Sequence, residues 1–67
     1  MDNVIYTIEN NGYLIGLYTH EVLAERKIIE DINVARAQAN LSLFEYSQYN
    51  KAIEWSKDAY RVRELYI

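Results

Sequence analysis

Between Ser42 and Ala59 the chain is apolar on two opposite faces of any helix it forms, in a protein of only 67 residues. Wound as a helix, this stretch puts Leu43, Tyr46, Tyr49 and Ile53 on one side. Phe44, Gln48, Lys51 and Trp55 fall at i, i+4, i+7 and i+11 and make a continuous stripe on the other side. A monomer of this size cannot bury both faces of one helix against itself. The stripe Phe44–Gln48–Lys51–Trp55 therefore reads as a protein-interaction surface. Its occupant is either a foreign partner or a second copy of the chain. The competing reading is a domain that wraps both faces, with a first helix on one side and a sheet on the other.

Size and composition push the same way. Sixty-seven residues make a single small domain, 1–67, near the lower limit at which one hydrophobic core is stable without help. The absence of cysteine excludes disulfide staples and thiolate metal sites, and one histidine leaves a metal only carboxylates and carbonyls. No cofactor is expected. The chain is 51% hydrophobic, too apolar for a disordered segment. Association is the remaining way to stabilise such a fold, so a homo-oligomer or a bound protein partner is expected.

Punctuation is confined to the first quarter, where both glycines lie, and there is no proline. Val4, Tyr6 and Ile8 alternate with Ile5, Thr7 and Glu9, and Tyr13, Ile15 and Leu17 alternate with Leu14, Gly16 and Tyr18. Period-two alternation on both sides of Asn10-Asn11-Gly12 predicts a β-hairpin, since Asn and Gly tolerate positive φ. Thr19 is placed as an N-cap, with Glu21 in the first turn where the helix dipole favours negative charge. Ala24, Ile28, Ile32, Ala35 and Ala39 mark the core face of a helix over 20–39. Arg26–Glu30 and Lys27–Asp31 are spaced for ion pairs along it.

Ser42-Leu43-Phe44-Glu45 has the form of a capping box, with Leu41 and Tyr46 placed for a hydrophobic staple. It predicts a second helix over 43–58, with Asn40 as a weak stop before it. The rival is one long helix through the region. Tyr60 to Ile67 reads as a strand with Tyr60, Val62, Glu64 and Tyr66 on one face, or as a helix clustering Val62, Leu65 and Tyr66. A hairpin alone is marginal and a third strand completes its sheet, which selects the strand. The expected fold is α+β, ββααβ: a small antiparallel three-stranded sheet covered by helices.

That layout, with Val4-Ile5-Tyr6-Thr7-Ile8, a turn, Leu14-Ile15-Gly16-Leu17-Tyr18-Thr19, the acidic helix Glu21 to Glu30 and the closing strand Tyr60 to Leu65, resembles small phage and prophage hairpin–helix–strand proteins. The likeness covers the hairpin, the helix start and the tail, and skips residues 33–58. It implies an inhibitor of a host or defence protein acting by surface occlusion, and it carries over no functional residues.

Net charge is −3, with six acidic against two basic side chains in residues 1–33 and four against five in 34–67. An acidic chain repels phosphate backbones unless a basic patch is concentrated on one face. Arg61 and Arg63, with Lys57 nearby, offer a weak patch. Tyr60 and Tyr66, the aromatics that stacking would need, fall on the opposite strand face. Nucleic acid is not an expected partner. No run of about 18 apolar residues spans a membrane. Met1-Asp2-Asn3 lacks a signal-peptide start, so a cytoplasmic protein is expected and the Asn40-Leu41-Ser42 acceptor motif is fortuitous.

Catalytic patterns are thin. His20 beside Glu21 reads as exposed polar filler, and Glu21 with Glu25 is an ordinary i,i+4 pair on an acidic helix. There is no phosphate loop, nucleophile elbow or histidine pair for a metal. A non-enzymatic interaction module is the expected function, with a homo-oligomeric structural or regulatory subunit as the alternative.

Overall fold

A computed structural model describes residues 3–67; the reading of Met1-Asp2 as no signal-peptide start lies outside them. Strands β1 (Val4–Asn10) and β2 (Tyr13–Tyr18) form the expected hairpin. Asn11 (φ 50°) and Gly12 (φ 90°) turn the chain between the paired residues Asn10 and Tyr13. Two successive positive φ values match the right-handed twist of the flanking strands. The tail is strand β3 (Tyr60–Tyr66), antiparallel to the other side of β1, so the sheet order is β2-β1-β3.

The β1–β3 register runs unbroken from Val4 opposite Tyr66 to Asn10 opposite Tyr60. The β1–β2 register shifts between Ile8 and Glu9, because Ile8 faces Gly16 while Glu9 faces Leu14. Ile15 is therefore the extra residue of a β-bulge, which bends β2 and raises its local twist.

Helix α1 (Glu21–Gln38) follows the hairpin almost where its spacing predicts. Its N-cap is His20 rather than Thr19, and no side chain supplies a capping bond. Ala24, Ile28 and Ile32 are buried as expected. Ala35 and Ala39 are exposed instead, and Ile29 completes the buried set. Lys27 and Asp31 pair at 3.8 Å. Asn40, at φ 59°, ends the helix: Leu41 N donates to Arg36 O (2.8 Å) and Asn40 N to Ala37 O (3.1 Å). This is a Schellman motif, and Asn is a residue that enters the left-handed region at low cost.

The second helix is much shorter than 43–58. Residues 41–45 have no regular secondary structure, Tyr46–Gln48 is a single 3₁₀ turn, and helix α2 covers only Tyr49–Trp55. The rival single long helix is likewise not formed. Side chains of α1 explain this. Arg36 Nε donates to Ser42 O (2.7 Å), and Asn33 Nδ2 donates to Phe44 O (3.0 Å) while its Oδ1 accepts from Phe44 N (2.9 Å). Those carbonyls would have to accept intrahelical bonds if a helix began at residue 43. The capping box shifts by three residues, with Gln48 Oε1 accepting from Glu45 N at 2.8 Å.

Both helices lie on the Ile8 face of the sheet. Ile8, Ala24, Ile28, Ile29, Ile32 and Ala52 form the buried core, with Tyr6, Tyr18, Phe44, Tyr49, Ile53, Tyr60 and Val62 around it. Leu43 and Tyr46, expected on the core side, are 59% and 53% exposed. The Tyr60 hydroxyl ties β3 to α1 by donating to Asp31 Oδ2 (2.6 Å); burial and that carboxylate push its pKa up to about 12. No helix among the described residues is long and apolar enough to cross a membrane.

Candidate interaction surfaces

The four residues of the expected stripe do not share a helical face. Phe44 lies in the irregular segment before the 3₁₀ turn, its backbone clamped by Asn33 and its ring against the core. Gln48 is engaged in the cap at Glu45, and Lys51 is exposed on α2. Phe44 and Trp55 nevertheless meet, through a residue outside the stripe. The Arg36 guanidinium carbon is 4.1 Å from the Phe44 ring centroid and 5.0 Å from that of Trp55. A guanidinium over two aromatic rings is held by their quadrupoles, and here Ser42 O also accepts from it. Trp55, at the rim of this stack, remains 41% exposed.

A second surface is larger and comes from the strands. Side chains alternate across a pleated sheet, so pairing to β1 assigns each residue a face. Tyr6 and Ile8, with Tyr18, Gly16 and Val62 opposite them, face the helices. Ile5, Thr7 and Glu9, with Leu17, Leu14, Arg61, Arg63 and Leu65 opposite them, face away. Leu14 and Leu17 are each 60% exposed on this helix-free face, and Leu65 is 53% exposed. Ile5 and Leu65 are direct cross-strand neighbours, which makes one end of the face apolar. The end near the Asn11-Gly12 turn is charged, with Arg63 Nε 3.4 Å from Glu9 Oε2. A cleft of about 330 Å³ opens there, lined by Glu9, Asn11, Gly12, Asp58, Arg61 and Arg63 among others.

This face escapes the helical periodicity argument, yet its signal is in the strands. β2 is apolar on both sides, with Leu14 and Leu17 on the face opposite Tyr18 once the bulge is allowed for. A strand in a two-layer fold needs only one apolar side.

The residues weighed for catalysis stay apart from both surfaces. His20 is exposed, its Nδ1 3.0 Å from Thr19 Oγ1. Burial, with Glu21 one turn away, holds the Glu25 carboxyl above its ordinary value. No group of three His, Cys, Asp or Glu side chains gathers as metal ligands among the described residues. Arg61 and Arg63 lie on the open face, while Tyr60 and Tyr66 lie on the other, as the alternation predicts. Comparison of the chain with protein-family models, curated proteins and solved structures returns no match.

Proposed function

We propose that this chain is a small, non-enzymatic protein-interaction module that docks through its helix-free sheet face. One observation carries the reading. Leu14, Leu17 and Leu65 stand more than half exposed on the face of the sheet that no helix covers. Contiguous apolar surface rimmed by charge is characteristic of protein contact sites. Trp55, on the other side of the fold, is a secondary anchor beside Arg36 and Lys51. The reading extends to a cytoplasmic inhibitor of a host or defence protein that acts by occluding a surface, in the manner of small phage proteins.

A homo-oligomer is the second reading, favoured by the small core. Among the described residues only Ile8, Ala24, Ile28, Ile29, Ile32 and Ala52 are fully buried, so covering the open face with a second copy would add apolar burial. The Leu14→Thr/Leu17→Thr double variant tests the shared premise, because Thr keeps strand propensity while removing apolar surface. Its melting temperature should match the parent's. Assembly measured by sedimentation, or capture of a host protein, should be lost. Retention of the parent's mass and partner would remove the face from consideration. A parent dimer that the variant splits would favour the second reading.

A further inference from the structure

β3 is an edge strand, and the hydrogen bonds that bracket its ladder fix the direction of its peptide groups. Asn11 N donates to Ala59 O (2.9 Å) at one end and Ile67 N to Asn3 O (2.9 Å) at the other. Hydrogen-bonded pairs alternate in an antiparallel ladder. Glu9–Arg61, Thr7–Arg63 and Ile5–Leu65 are thus the bonded pairs. The N–H and C=O groups of Tyr60, Val62, Glu64 and Tyr66 consequently point away from β1. Among the described residues no other backbone group bonds to them.

The opposite edge is blunted. β2 carries the bulge at Ile15, and the Tyr18 ring lies so close over Gly16 that an added Cβ would sit 2.7 Å from it. Bulges are a usual means of making an edge a poor template. β3 has no bulge, glycine or proline over seven residues, so of the two edges it is the one prepared for strand addition.

Charge decides what adds. A second copy related by a two-fold axis must pair residues whose peptide groups both point outward, which limits the registers. Centring the pair on Arg61 or Arg63 sets that arginine against itself. Centring on Val62 sets Arg61 against Arg63, and centring on Glu64 sets two glutamates together. Like charges directly opposite are destabilising. Only registers that slide off towards an end of the strand avoid them, and these forfeit much of the ladder. A strand carrying carboxylates gains where a second copy loses. Arg61 and Arg63 project on the same face of β3. Arg63 is partly answered by Glu9, and Arg61 is in no ion pair among the described residues. They stand out on a chain of net charge −3.

We infer that β3 is extended by an antiparallel, acidic segment of the partner protein, with carboxylates opposite Arg61 and Arg63 and an apolar side chain opposite Leu65. The inference rests on the docking function proposed above and specifies the partner's chemistry.

The test uses the full chain and two synthetic seven-residue peptides. One carries Leu, Glu and Glu at alternate positions with Thr and Val between; the other has Lys in place of both Glu. The acidic peptide should slow hydrogen exchange of the Val62, Glu64 and Tyr66 amides and leave those of Leu14 and Leu17 unchanged. Arg61→Gln, at unchanged melting temperature, should weaken its binding about tenfold, the loss of a charge-assisted contact. Equal protection by the lysine peptide, or no protection at these amides, would overturn the inference. So would concentration-dependent protection without peptide, which would place a second copy on the edge. The Leu14→Thr/Leu17→Thr result bears on the sheet face and not on these amides, so the two proposals fail separately.

Discussion

Helix α1 and the segment from Leu41 to Asp58 are similar in length and in apolar content, yet they fold by different rules. α1 is set by its own pattern. Its buried residues Ala24, Ile28 and Ile32 recur every four positions, and the helix persists for eighteen residues. The later segment is set by what α1 presents to it. Asn33 and Arg36 engage the backbone of Ser42 and Phe44, so the chain stays non-helical until the 3₁₀ turn and only seven residues become α-helical. Periodicity predicts a helix well where no neighbour competes for its carbonyls. It predicts poorly where a polar side chain on another element does.

The largest effect expected from this contrast separates two positions that the pattern assigns alike to the core. Ile28 is fully buried and Leu43 is mostly exposed. Ile28→Ala should cost about 2–5 kcal/mol, as deletions in a close-packed interior do. Leu43→Ala should stay within about 0.5 kcal/mol, the range of surface substitutions. Denaturant melts of the two variants decide the matter. A Leu43→Ala loss comparable to that of Ile28→Ala would restore the longer helix.

A smaller effect is expected at the clamp. Asn33→Ala removes both side-chain bonds to Phe44 and leaves that N–H and C=O partly buried without partners. A cost of about 1–3 kcal/mol follows. Hydrogen exchange should quicken in residues 41–48, with the amides of the middle of α1 still protected. Uniform loosening of α1 as well would show that the two segments open as one unit.

How much of this was legible depends on where the deciding bonds lie. The hairpin, the first helix and the closing strand follow from alternation, from Asn10-Asn11-Gly12 and from the spacing of Ile28 and Ile32, all local signals. The α+β sheet with helices on one face follows with them. Phe44 and Trp55 were visible as an unusual aromatic pair, but the helical spacing that linked them does not exist. Arg36 links them instead, from another element, and nothing in the local sequence marks it for that role. The open face was half visible. Leu17 and Leu65 fall on the outward phase of their strands, but strict alternation puts Leu14 on the other face, and which side the helices cover depends on long-range packing around Ile8. The bulge at Ile15 was not legible, since it reflects how β2 pairs with β1 rather than any residue that demands a bulge.

The smallest effect compares how the two helices end. Both use Schellman caps. At α2, Lys57 N donates to Glu54 O (3.0 Å) and Asp58 N to Ile53 O (3.3 Å), the arrangement seen after α1. The residue in the left-handed position is Asn40 in one case (φ 59°) and Lys57 in the other (φ 57°), with Asp58 also at φ 57°. Asn enters that region with little penalty because its short amide bonds locally, whereas the Cβ of lysine crowds the following carbonyl at a cost of roughly 1–2 kcal/mol. Glycine relieves the crowding but has more freedom to lose on folding, which offsets part of the gain. Lys57→Gly should therefore stabilise the protein by about 0.5–1 kcal/mol. Asn40→Gly should change stability by no more than a few tenths. Thermal melts of the two variants under one buffer give the comparison. Equal responses at the two caps would mean that the αL position at Lys57 carries no strain, and that the short reach of α2 has no cost at its end.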